Sequence, residues 1–195
     1  VGEFFRTTGR RPRDCPQMYL KTAILLATFA GLYWLLVFVA QTWWQALPLA
    51  VLLGLSTAAI GFNVQHDGGH QAYSDRAWVN KLMAATMDLI GGSSYLWHWK
   101  HGLIHHTYVN VTGQDTDVDL GPLGRLTPHQ RRLGFHRWQH LYIWPLYGFI
   151  ATKWHLFDDF HNIALGRIGQ YRVPRPKGWD LAIFVAGRAF FLTLA

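Results

Sequence analysis

The chain has 195 residues, a length suited to one domain, and carries 18 Lys+Arg against 11 Asp+Glu for a formal net charge of +7. Half of the residues are hydrophobic and only 15% are charged, which excludes a disordered chain, since disorder needs low hydrophobicity and high charge. The single cysteine, Cys15, excludes an internal disulfide framework and any Cys-x-x-Cys metal knuckle.

The charges are unevenly spread along the chain. Arg6, Arg10, Arg11, Arg13 and Lys21 come first, and from Thr22 to Gln65 there follow 44 residues without Asp, Glu, Lys, Arg or His. A bilayer crossing takes about 20 apolar residues, so this stretch predicts two crossings, over residues 20–40 and 46–63. Gln41, Thr42, Trp43, Trp44 and Gln45 are expected to make the turn, where paired Trp suits the aromatic belt of a membrane interface. The competing reading is a helical hairpin buried in a soluble protein, but the chain supplies too little other apolar mass to cover one. Basic residues before the first crossing and none in the turn place the N-terminus and everything from residue 65 on the cytoplasmic side.

The region 66–178 is more polar and is expected to lie in the cytoplasm with interfacial helices. Residues 140–154 form its most apolar stretch, too short for a crossing and flanked by basic residues on both sides (Arg125, Arg131, Arg132 and Arg137; Arg167, Arg172, Arg175 and Lys177). An interfacial helix keeps both clusters on one side. Gly91-Gly92-Ser93-Ser94 is expected to break the chain ahead of a separate helix. Residues 181–195 read as the start of a third crossing, in which Arg188 is expected to snorkel toward the interface. The fold class is thus all-α and integral to a membrane, with the whole of residues 1–195 forming a single domain.

Six of the eleven histidines fall within 41 residues, just after the second predicted crossing. His66 and His70 are four apart, which puts both rings on one face of a helix. His101, His105 and His106 form a second cluster, with His101 and His105 on one face and His106 turned by about 100°. Imidazole is the commonest protein ligand for transition metals. Five such ligands are too many for a closed tetrahedral zinc site and suggest one metal of higher coordination or two metals. Asp67 and His98 are candidates to support these ligands, Asp67 as a hydrogen-bond acceptor for a ring N–H. His129, His136 and His140 read as part of a basic, lipid-facing surface. His155 and His161, flanking Asp158 and Asp159, are further candidates for supporting contacts.

The two boxes, His66-Asp67-Gly68-Gly69-His70 and His101-Gly102-Leu103-Ile104-His105-His106, resemble those of the membrane fatty acid desaturases. The surrounding residues, Asn63-Val64-Gln65 before the first box and Thr107-Tyr108-Val109-Asn110 after the second, are most similar to the bacterial linoleoyl-CoA, delta-6-like acyl-lipid branch. Asp115, Asp117 and Asp119 follow at a spacing that branch also shows. The resemblance implies an O2-dependent oxidoreductase that inserts a double bond into an acyl chain. It implies a fold of four transmembrane helices covered by interfacial ones, and a site of two non-haem iron ions at the cytoplasmic face. His66, His70, His101, His105 and His106 match the family's box ligands. The substrate would be an acyl-CoA or an acyl-lipid in a membrane, by implication the bacterial inner membrane.

A third box, which the family carries further along, is absent from these residues. The resemblance therefore implies a truncated desaturase fold, about half of the protein and inactive alone. His66-Asp67-Gly68-Gly69 is not the haem motif of the cytochrome b5 domain fused to some relatives, so an external ferredoxin or cytochrome b5-type donor is expected. Two other readings stay open: hydroxylation of an alkane, sterol or carotenoid at the same kind of site, and a non-catalytic metal-binding membrane protein. Nucleic-acid binding is disfavoured, because the arginines stand beside Trp-rich apolar segments that suit headgroups better than a phosphate groove. No Gly-rich phosphate loop is present.

Overall fold

Two long apolar helices dominate the first half of the computed structural model, which describes residues 2–194. A short helix α1 (Gly2–Thr8) precedes them. The first, α2 (Pro16–Trp34), starts with Pro in its first turn, where a missing N–H costs nothing, and continues as a π-helical turn, Leu35–Val39. The second, α3 (Trp43–Ile60), runs through another π-turn, Gly61–Gln65, into α4 (His66–Gly69). Each continuous helix, Pro16–Val39 and Trp43–Gly69, is long and apolar enough to cross a membrane. Thr22 is the buried residue of α2, and Ser56 and Ile60 those of α3. Apolar helices with so little surface covered by protein are suited to lipid rather than to a soluble core.

The predicted crossings over 20–40 and 46–63 fall largely on these helices, but the turn is tighter than expected. The chain leaves helical geometry at Ala40 and is capped at Thr42, and Trp43 and Trp44 already belong to the first turn of α3. Both indoles are exposed and packed edge to face.

The contact-defined unit spanning residues 1–90 closes around the segment that follows the first histidine pair. Helices α5 (Ala77–Ala84) and α6 (Thr86–Leu89) complete it. Tyr73 is fully buried and its hydroxyl hydrogen-bonds Thr22 Oγ1 at 2.8 Å. Asn80 clamps Ser74 through both its amide atoms, at 2.9 and 2.7 Å. Asp14 accepts from the Tyr19 and Ser74 hydroxyls, both at 2.6 Å, and from the Asp75 amide at 2.9 Å. Lys21 reaches Asn63 at 3.4 Å and Asp67 at 3.8 Å, so α2 is tied to the end of α3 and to α4.

The unit spanning 91–195 starts at the expected Gly-Gly-Ser-Ser break. Gly91 has φ +96, and a Cβ there would lie 2.7 Å from the Phe191 ring, so only glycine fits. Ser93 caps α7 (Ser94–Trp97), its hydroxyl accepting the Leu96 amide at 3.3 Å. The helix continues as a π-helix, His98–His105. After a loop with two 3₁₀ turns come α8 (Gln139–Lys153), a π-turn (Trp154–Asp158) and α9 (Asp159–Leu165). A two-stranded antiparallel hairpin, β1 (Arg167–Ile168) with β2 (Tyr171–Arg172), then departs from the all-α expectation. Leu96 and Ile104 pack with Ile168 and Val173 in this unit's core. The hairpin is thus what the apolar face of the π-helix rests on.

The last helix, α10 (Gly178–Leu194), holds the expected start of a third crossing, of which Ala195 lies outside the described residues, as does Val1 at the other terminus. Arg188 does not snorkel: it is 5% exposed and pairs with the buried carboxylate of Asp159. A guanidinium buried at this depth needs a counter-charge and acceptors, and Asp159 with the Gly91 carbonyl provides them. Helix α8 runs on without a break through the π-turn into α9, and this continuous helix over 139–165 is not one of the two that are long and apolar enough to cross a membrane among the described residues. Arg125 is spent on the Pro128 and Gln130 carbonyls, and His136 accepts the Leu133 amide while bonding the Pro122 carbonyl.

Two tests address the first unit. A Cβ on Gly68 would lie 2.6 Å from the backbone nitrogen of Ala84 and 2.8 Å from the Asn80 carbonyl. Gly68→Ala is expected to cost about 3 kcal/mol, the upper range for overpacking against backbone, read as a lower thermal midpoint in detergent. The Asp75 amide, then the Ser74 and Tyr19 hydroxyls, hold the Asp14 carboxyl down at about 2. A depressed carboxylate contributes stability that is present above its unfolded pKa of about 3.9 and lost as pH falls through the folded value. The thermal midpoint of Asp14→Asn is therefore expected to fall less steeply than that of the parent over this acid range.

Candidate metal centre

His66 opens α4 directly after the π-turn, and His70 caps its end, donating its amide to the His66 carbonyl at 3.0 Å. The two rings lie 4.4 Å apart, edge to face, and both are half-buried. Gly68, between them, lets α4 sit directly on the backbone of α5. Asp67 pairs with Lys21, so the described partner of this candidate supporting acceptor is a lysine of α2.

The second cluster is built differently. His101 and His105 stack with ring centres 4.8 Å apart and planes 15° from parallel. His106, expected to be turned away, has its ring 5.0 Å from His101 and 5.3 Å from His105. The reason is the π-helical winding from His98 to His105. Its i→i+5 bonding makes a wider turn than the α-helix, so residues five apart come to one side. Trp97 lies against the outer face of His101 at 4.8 Å. His98 is exposed, with its ring against Trp99.

Two aspartates outside the boxes hold the ring nitrogens. Asp115, 2% exposed, takes His105 Nδ1 at 2.9 Å and the backbone amides of Asn110 and Asp117, each at 2.9 Å. Asp117 takes His101 Nδ1 at 2.9 Å on one oxygen and Lys100 at 3.2 Å on the other. Burial pushes the Asp115 carboxyl up, but the Asn110 and Asp117 amides and the His105 ring outweigh it and hold it below the ordinary carboxylate range. Burial likewise pushes Asp117 up, and His101 and Lys100 more than offset it. An ionised carboxylate only accepts, so each of these rings carries its proton on Nδ1. In the neutral form of such a ring Nε2 is the nitrogen that would bind a metal. His101, His105 and Asp117 each place a ligand-capable atom within 4.8 Å of the others.

The donor set fits iron. Neutral imidazoles suit it, and rings fixed through Nδ1 by carboxylates are the usual support for metal-binding histidine. Asp115 and Asp117 are the site residues that reading the boxes alone misses. Their signal was the Asp-x-Asp pair ten residues beyond His105, where a ligating histidine needs an acceptor. His155 is half-buried against Phe191, and burial, with Arg188 nearby, pushes its imidazolium down to about 4. It is thus a neutral ring packed against Phe191 and Trp154. His161 is exposed.

The fatty acid desaturase family model matches residues 42–195. The chain is 38% identical over 190 residues to the sn-1 linoleoyl-lipid 6-desaturase of Arthrospira platensis, covering 97% of this chain and 52% of that protein. It is 33% identical over 192 residues to the protein of the same name from Synechocystis sp., covering 98% and 54%. It is 31% identical over 193 residues to an acyl-lipid (8-3)-desaturase of Physcomitrium patens, covering 98% and 40%. The chain spans about half the length of the first two relatives, and no solved structure matches it. With four-fifths of its residues inside the family model and both histidine boxes intact, the chain belongs to the fatty acid desaturase family.

Proposed function

We propose that the protein is a membrane-bound acyl-lipid desaturase. The observation that carries this reading is the second box, where two stacked histidines have Nδ1 held by Asp117 and Asp115, so that Nε2 is the nitrogen each would offer a metal. His66, His70, His101, His105 and His106 are the ligands this chain contributes to a pair of non-haem irons. When bound, iron supplies the redox chemistry that activates O2 against an unactivated C–H bond, which side chains alone cannot do. The reaction balances as R–CH2–CH2–R′ + O2 + 2e⁻ + 2H⁺ → R–CH=CH–R′ + 2H2O. The two electrons come from an external donor of ferredoxin or cytochrome b5 type.

Within this scheme Asp115 and Asp117 keep His105 and His101 in the Nδ1–H form. Helices α2 and α3 are the first two crossings, with the basic N-terminus and the boxes on the cytoplasmic side of a bacterial inner membrane. Helix α8 lies in the interface, and α10 begins a third crossing. The names of the relatives support an acyl-lipid over an acyl-CoA substrate. No role in nucleic-acid binding is assigned.

The direct test is fatty-acid methyl ester profiling by gas chromatography–mass spectrometry. The full-length gene is expressed in a host lacking this desaturation, beside a His105→Ala/His106→Ala variant. A new unsaturated acid that vanishes in the variant is the expected result. A new hydroxy acid would instead assign the site to hydroxylation. In the purified protein, Asp115→Ala is expected to lower ferrous-iron affinity by about 10- to 100-fold, measured by metal titration. It should also lower the thermal midpoint, since two backbone amides and an imidazole N–H lose a buried acceptor.

A further inference from the structure

Lys100 stands between Trp99 and His101, directly before the second box, yet its side chain turns toward two groups further along the chain. Its ammonium lies 3.2 Å from Asp117 and 5.5 Å from the centre of the Trp154 ring. Trp154 is itself held, its indole N–H donating to Asp159 at 2.7 Å. Asp159 is fully buried and paired with Arg188 of α10, which also donates to the Gly91 carbonyl. These contacts form one unbroken chain, from Arg188 through Asp159, Trp154, Lys100 and Asp117 to His101 Nδ1.

We propose that Lys100 is a positioning residue for His101, and that Trp154, fixed by the Arg188–Asp159 pair, holds it in place. This rests on His101 being an iron ligand. A carboxylate offers two oxygens, and on Asp117 one must face His101 for the ring to be held. The alternative partner for that oxygen is His105 Nδ1, 3.8 Å away and already taken by Asp115. Lys100 engages the other oxygen and so fixes the rotation of the Asp117 carboxylate about its own axis. A lysine stem is flexible and would not hold that angle unaided. The Trp154 face supplies a cation–π platform on the second side. Because Trp154 cannot rotate without breaking its bond to Asp159, the platform is rigid.

Lys100 and Trp154 also line a cavity of about 210 Å³ with Asp119, Asp158, Asp159 and Asn162. Of the acidic groups there, Asp159 is held by Arg188 and Asp158 by Lys153, so Asp119 is the carboxylate a loosened ammonium would visit. Removing the Trp154 ring is therefore expected to act like removing the charge, by releasing Lys100 from Asp117.

The test uses the full-length gene product in detergent, loaded with ⁵⁷Fe(II), with iron content, affinity and the Mössbauer doublets as readouts. Lys100→Met keeps the stem and removes the charge. It is expected to lower ferrous-iron affinity about tenfold, the low end for outer-shell partners of a ligating histidine, and to broaden or split the doublet of one iron. Lys100→Arg, which can still pair with Asp117 and stack on Trp154, is expected to restore affinity to within about twofold of wild type. If Lys100→Met aggregates, Trp154→Leu carries the same expectation. Wild-type affinity and doublets in a folded Lys100→Met or Trp154→Leu protein would overturn the proposal. So would an equal loss in Lys100→Arg, which would point to mere space-filling. Failure of the wild-type protein itself to bind iron would overturn the di-iron reading instead, and this inference with it.

Discussion

A buried carboxylate with three donors is the constraint on which the second half of this protein depends. Asp115 sits in a turn whose backbone amides, from Asn110 and Asp117, both point at it. Unmet, those amides and that charge would each carry a desolvation penalty of a few kcal/mol. Met together, they lock the turn, and the locked turn delivers Asp115 to His105 and Asp117 to His101. Hydrogen bonds to the ionised carboxylate outweigh its burial, so the group stays charged and remains an acceptor. The partner of Nδ1 on each of two imidazoles is thereby set by the geometry of a downstream loop.

The same logic links the ends of the second unit. Arg188 lies in an apolar helix, where a lone guanidinium is too costly to keep. Asp159 meets that cost, and Phe160 and Phe184 lie within 5.6 and 5.2 Å of the guanidinium carbon. The pair has one geometry in which charge, carbonyl and aromatic faces are all satisfied. A buried ion pair of this kind adds little net stability; what it adds is register. It fixes α10 against α9 and against Gly91, from which the second-box helix departs.

What could be read from the sequence follows from how local each signal is. The 44-residue run without a charge is a one-dimensional fact, and two long apolar helices follow from it with only the turn misjudged. There Trp43 and Trp44 read as part of the turn, because their interfacial character is legible in the sequence and their helical start is not. The histidine spacings were likewise local, and both pairs meet ring to ring. The supporting residues were not legible in the same way. Asp67 and His98 adjoin the boxes in sequence, yet the one is paired with Lys21 and the other exposed. Asp115 and Asp117 reach the box rings through a turn that brings them back over the helix, and periodicity carries no information about such a return. The burial of Arg188 is hidden from the sequence for the same reason, since its partner is 29 positions away. The hairpin at Arg167–Arg172 is two residues per strand, too short for an alternation to register.

The placement of π-helical backbone explains why histidines at mixed spacing can work as one set. Four such segments occur among the described residues. One contains His101 and His105, one ends immediately before His66, and one contains Trp154 and His155. A π-turn inserts a residue into the helical ladder and is tolerated mostly where function requires it. In an α-helix His106 would face away from His101, because five residues overshoot one turn by roughly 140°. Widening the turn removes most of that overshoot, and three imidazoles share one side. The winding also keeps Ile104 inward against Ile168 and Val173, so the apolar face is retained while the polar face is re-phased. The cost of the weaker ladder is met by that packing and by the carboxylates on the far side of the rings. A helix with neither support would have no reason to leave the α-form, which is why the box, the hairpin beneath it and the Asp-x-Asp turn beside it form one structural unit.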